Sequence, residues 1–293
     1  MGVKSAMYLL LLASIWGASF LFMRIGAPPL GPVWLIESRV GFAALFLCVV
    51  ALLMKKKLHL RQHWKHYTFL GVMSSALPFL CYGYAAQYLT ASMMSIINAL
   101  TPVFGAAIGA LYFRKPLTRN AVIGLSLGVL GVAVIVGFDA DLLKNQAWFA
   151  VLVVLGAPLC YGVAATYTQV VSPVAPFNNA QGSMLMATIA LLPIALFFTP
   201  NTTPNAVESI SVIALGVVCT GVAYLIFFKL LEDIGSSSLL TVTFLIPIFG
   251  VFWGVVFLDE KVGIHTFIGG VLVVLGTMKT TGFSFTKALK TEQ

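Results

Sequence analysis

Charge is scarce in this sequence. Of 293 residues only 9 % are charged, nine of them acidic, whereas 60 % are apolar and the mean hydropathy is +1.00. Soluble domains carry about a quarter charged residues, so this composition excludes them. Cysteine is sparse too. Cys48, Cys81, Cys160 and Cys219 all fall inside apolar runs without metal-ligand spacing, which argues against a disulfide framework or a metal site. There is no phosphate-binding glycine–lysine loop and no His/Cys/carboxylate set, and the four histidines lie in or beside loops. The chain is therefore read as no enzyme, and no cofactor is expected. The short alternating segments of a membrane barrel are missing as well.

What the chain has in abundance is apolar length. Ten windows of about 20 mainly apolar residues, each able to cross a ~30 Å hydrocarbon layer as a helix, lie near 5–26, 33–54, 66–88, 91–113, 119–137, 147–170, 178–199, 207–231, 237–258 and 264–282. The fold class expected is an all-α polytopic membrane protein with ten transmembrane helices. The first window follows Lys4 directly and runs too long for a signal-peptide core, so it is expected to stay as a helix. The gaps between windows are too short for a soluble domain.

The net charge of +8 is no sign of a nucleic-acid partner, because its distribution follows the membrane. With the N-terminus in the cytoplasm, Lys4, Lys55, Lys56, Lys57, Arg61, Lys65, Arg114, Lys115, Arg119, Lys279, Lys287 and Lys290 all lie on that side. Only Lys144 and Lys261 lie clearly opposite. The bias places both termini in the cytoplasm. It also makes "MKKKLHLRQHWKHY" a loop resting on anionic lipid headgroups.

A shift of 145 residues superposes "TPVFGAAIG" at Thr101–Gly109 on "IPIFGVFWG" at Ile246–Gly254, so that Pro102 meets Pro247, Phe104 Phe249, Gly105 Gly250 and Gly109 Gly254. The same shift sets Gly124 on Gly269, Gly131 on Gly276 and Trp16-Gly17 on Tyr161-Gly162. Five spans per copy is an odd number, so the second copy enters the membrane inverted. The loops around Asn201 and Asp259, almost free of positive charge, agree with that. Two units follow, 1–140 and 146–285. Inverted repeats are a common plan of secondary transporters, with the substrate near the midplane between halves.

The residues "WGASF" in the first span, Arg39 early in the second, Pro102 and Pro247 within spans, and the glycine-rich fifth and tenth spans together resemble the EamA family of the drug/metabolite transporter superfamily. The resemblance covers essentially the whole chain. It implies a bacterial inner-membrane exporter of amino acids or similar metabolites. One departure stands out: the acidic residue common after the fourth span in that family is replaced by Arg114-Lys115-Pro116, whereas Asp259-Glu260 keeps it after the ninth.

A proline inside a helix leaves the carbonyl four residues earlier without its donor. For Pro102 that carbonyl is Asn98's, for Pro247 Thr243's, and both residues are polar in apolar surroundings. Matched breaks with polar neighbours point to a shared cavity, with Pro102 and Pro247 as bending points. The other reading is that both simply kink helices for packing. Trp16, Tyr82, Tyr84, Tyr161, Tyr224 and Trp253 lie within spans, where a ring with a polar atom needs a partner. That partner is either a neighbouring helix or a bound solute. Six residues are therefore expected to bind substrate: Trp16, Tyr82, Asn98, Tyr161, Tyr224 and Thr243. Arg24, Glu37 and Arg39, near the ends of the first two spans, are expected to form a charged cluster at the outer rim, and Lys229 to pair with Glu232 and Asp233.

The reading that results is a monomeric or homodimeric transporter of small-molecule substrates working by alternating access. Its rival is a non-transporting membrane scaffold or a lipid-flipping subunit.

Overall fold

A computed structural model describes residues 2–137 and 147–282. Lys144, Lys287 and Lys290, and the far edges of the two expected units, lie outside the described residues. Among those described, every regular element is helical: α1 (Val3–Leu53), α2 (Leu60–Gly71), α3 (Leu77–Ala85), α4 (Ala91–Asn98), α5 (Thr101–Tyr112), α6 (Arg119–Gly137), α7 (Trp148–Val170), α8 (Pro176–Ala195), α9 (Ala206–Gly216), α10 (Ala223–Leu239), α11 (Val242–Leu258) and α12 (Ile264–Thr281). π-helical turns at Val72–Ala76 and Val217–Val222 weld α2 to α3 and α9 to α10. Seven of the resulting helical rods are long and apolar enough to cross a membrane, so this is a multi-pass membrane protein.

The 51 residues of α1 would reach about 76 Å at 1.5 Å per residue. Gly31 divides them, with φ 68° and ψ 168°, a backbone state only glycine adopts freely. The prolines at 28, 29 and 32 crowd the same corner. Gly235 makes a second corner of this kind (φ 73°, ψ 169°) inside α10. Elsewhere the starts are capped locally. Thr90 accepts from the Met93 amide at 3.1 Å to open α4, and Asn205 and Glu208 form a reciprocal capping box on α9.

Small residues set the packing. The most extensive helix pair is α6 with α12, where Gly124 faces Gly276 and Gly131 faces Gly269 so closely that neither pair has room for a Cβ. Gly17 on α1 lies against Phe249 and Gly250 of α11, and Gly162 on α7 against Phe104 and Gly105 of α5. These two contacts are related residue for residue by the offset of 145. The π-helical turns begin at that same spacing, each directly after a tightly packed glycine, Gly71 and Gly216.

The prolines behave differently from each other. The chain turns at residues 99–100, and Pro102 sits in the first turn of α5, where no donor is lost. Pro247 lies within α11, seven residues beyond the turn at Leu240. The two prolines are thus not equivalent in position: Pro102 follows a chain turn and Pro247 lies inside a helix.

Candidate functional site

Between α1, α3, α4, α7, α10 and α11 lies a cavity of about 250 Å³. All six side chains expected to bind substrate line it: Trp16, Tyr82, Asn98, Tyr161, Tyr224 and Thr243. Ser19, Phe20, Phe79, Thr101 and Phe227 add to its wall. The rings lock one another: Phe20 meets Tyr82 edge-on at 5.3 Å, and Trp16 lies 5.7 Å from Phe227.

The polar groups are placed by the helix breaks. At the end of α4 the Thr101 hydroxyl donates to the Asn98 carbonyl at 2.8 Å, which serves the backbone group left open there. The Asn98 side-chain oxygen accepts from the Tyr82 hydroxyl at 2.9 Å, tying α3 to α4 and leaving the amide NH₂ free to face the cavity. On the far side the Thr243 hydroxyl donates to the Leu240 carbonyl at 2.7 Å, and Thr241 does the same for Ser238. Both turns are thus closed by threonine hydroxyls.

Pro102 and Pro247 do not line the cavity. Tyr84 packs against Tyr88 and Phe149, and the Trp253 indole donates to the Ser14 carbonyl, so these two aromatics serve packing. The expected outer-rim cluster does not form: among the described residues no ion pair joins Arg24, Glu37 and Arg39. Arg24 donates to the Ala86 carbonyl at 2.6 Å. Glu37 is buried and its Oε2 finds no partner. Residues two apart on a helix do not face each other, which separates Glu37 from Arg39. Lys229, expected to pair with Glu232 and Asp233, lies over the Tyr8 ring instead, at 4.8 Å.

Arg39 is the residue that sequence reasoning misplaced most. It lines the cavity, only 5 % exposed, with its guanidinium 3.6 Å over the Phe79 ring. Its Nε donates to the Thr220 hydroxyl at 3.1 Å, and Thr220 in turn donates to the Leu215 carbonyl, a contact made available by the π-helical turn. The repeat extends to the position of this threonine: Ser75 and Thr220 share the offset of 145 and each follows a glycine by four residues, which does not by itself point to Arg39.

Apolar membrane helices thus surround a partly open, amphipathic cavity, an arrangement that fits a membrane transporter. The model of the EamA-like transporter family matches residues 3–137 and again 148–281, and the chain belongs to that family. It is similar to the uncharacterized transporter YoaV of Bacillus subtilis, 22 % identical over 97 % of this chain and 99 % of that one. An uncharacterized transporter of Archaeoglobus fulgidus is 26 % identical over 96 % of this chain and 98 % of its own. A protein of Escherichia coli named as a probable amino-acid metabolite efflux pump is 22 % identical over 99 % of both. A solved crystal structure, 18 % identical, covers 100 % of each chain at a TM-score of 0.67 and shares the fold.

Proposed function

We propose that the chain is a secondary transporter that exports small metabolites, amino acids or related compounds, across the bacterial inner membrane by alternating access. The observation that carries this reading is the convergence of six sequence-chosen side chains from both halves on one cavity. Its volume, about 250 Å³, lies just below the ~300–1,000 Å³ of drug-sized sites and suits a single small solute. The amino-acid assignment draws on the Escherichia coli relative's name alone.

In this reading the α1 rod supplies two spans, the rods containing α2–α3, α4–α5 and α9–α10 one each, and α6, α7, α8, α11 and α12 the rest. That makes ten spans in two inverted units, 1–140 and 146–285, both termini in the cytoplasm. The glycine contacts and π-helical turns that recur at an offset of 145 support the internal symmetry. An inverted pair of units gives two mirror-related end states, and α4–α5 and α10–α11, which meet at the turns near residues 99–100 and 240–241, are the elements able to switch between them.

Proteoliposomes loaded with labelled L-phenylalanine, L-threonine or L-cysteine test the proposal. Efflux above that of protein-free vesicles, reduced several-fold by Asn98→Ala, is the expected result. Retention of every labelled solute would overturn it and leave the scaffold reading in place.

A further inference from the structure

The cavity holds one full charge and nothing to balance it. Among the described residues that line it, Arg39 alone is charged. The titratable side chains that line the cavity with it are Tyr82, Tyr161, Cys219 and Tyr224, all groups that are neutral near pH 7. A cation buried without a counter-ion inside a membrane protein is costly and marks a functional position.

The donors of this guanidinium are only partly used. Of the five N–H groups an arginine carries, Nε serves Thr220 and one Nη1 proton points to the Met23 sulfur at 3.4 Å. Nη2 has no acceptor among the described residues. Three N–H groups are left, more than the two that a carboxylate takes in a forked clasp. The Phe79 ring covers one face of the plane, and the Thr220 hydroxyl fixes its rotation, so the fork is held in place before anything binds.

We infer that Arg39 is an anion-binding residue, and that the transported solutes are those bearing a single carboxylate, clasped by its guanidinium, with their apolar part against Trp16, Phe20 and Phe227. The inference rests on the transport reading and names the substrate class of the same cavity. One positive charge is matched by one negative charge. A phosphate dianion would leave a net charge buried, and an amine would bring a second cation beside the first. An amino acid satisfies the clasp through its α-carboxylate but brings a cation of its own, so it needs a second set of contacts for the ammonium group, which ring faces and the Asn98 side-chain oxygen offer.

The test is thermal unfolding of the purified full chain in detergent at pH 7, titrated with 3-phenylpropionate, 3-phenylpropanamide, L-phenylalanine and phenyl phosphate. The two carboxylates are expected to raise the melting temperature, and the amide to need about ten- to a hundredfold higher concentration for the same rise. Arg39→Gln should abolish that preference, while Arg39→Lys, which keeps the charge but not the fork, should retain part of it. Equal stabilisation by the amide, none by either carboxylate, a stronger effect of phenyl phosphate, or a preference that survives Arg39→Gln would each overturn the inference. If Arg39→Gln does not fold, the carboxylate–amide comparison on the native protein decides alone. Proteoliposomes separate the two claims: efflux of the amide but not the acid sinks the carboxylate clasp and leaves transport standing, whereas carboxylate-selective stabilisation without any efflux keeps the clasp and removes transport.

Discussion

The ends of α5 and α11 are copies in backbone and opposites in chemistry. Arg114 and Asp259, 145 residues apart, both adopt φ 53° and close the preceding helix. The next residues diverge. Lys115 is exposed, and only its amide is engaged, by the Ala110 carbonyl. Glu260 turns back and caps α4, accepting from the Ala91 amide at 2.7 Å, the Ser92 amide at 3.1 Å and the Ser92 hydroxyl at 2.6 Å. One carboxylate thus joins the α11–α12 loop to the start of α4, a favourable place for negative charge. No equivalent staple exists among the described residues at the Lys115 end. A repeat fixes the path of the backbone, and single side chains then make the two ends unequal.

Breaking that staple should have the largest effect. Glu260→Ala leaves two amides and a hydroxyl without their acceptor and is expected to cost about 1–3 kcal/mol, read as a fall in melting temperature in detergent. Lys115→Ala should stay within about 0.5 kcal/mol. A smaller contrast exists at the first helix break, where the Thr277 hydroxyl donates to the Ala99 carbonyl at 2.6 Å. Its counterpart at the 145 offset is Val132, which has no hydroxyl to offer. Thr277→Val is expected to lower stability by about 1 kcal/mol. The smallest contrast separates the prolines. Pro102→Ala, in a first turn, should change stability by less than about 0.5 kcal/mol, whereas Pro247→Ala restores a donor to the Thr243 carbonyl and should slow hydrogen exchange at the start of α11 measurably more.

Much of this arrangement was legible beforehand because it rests on spacing. The offset that paired Trp16 with Tyr161 and Asn98 with Thr243 also brings those residues to one cavity, since a backbone repeat carries its inward-facing positions with it. Arg39 was not placed correctly, because apolar flanks and two nearby charges suggested an ion cluster. Its partners, Thr220 and Phe79, lie 181 and 40 residues away in the chain and meet it only after folding. The π-helical turns were equally invisible, as a single extra residue per turn leaves no mark on hydropathy. The position of Pro247 within its helix was hidden for a related reason: a proline states which hydrogen bond is absent, not where the chain turns.

The central claim is that one cavity is reached in turn from the two faces of the membrane. In a variant lacking Cys48, Cys81, Cys160 and Cys219, cysteine placed singly at Ser74 or Thr243 can be labelled with a membrane-impermeant maleimide from either side of sealed vesicles. During solute efflux both positions should react from both sides, and solute should protect both. Labelling of each position from a single face throughout turnover, unaffected by solute, would contradict the account.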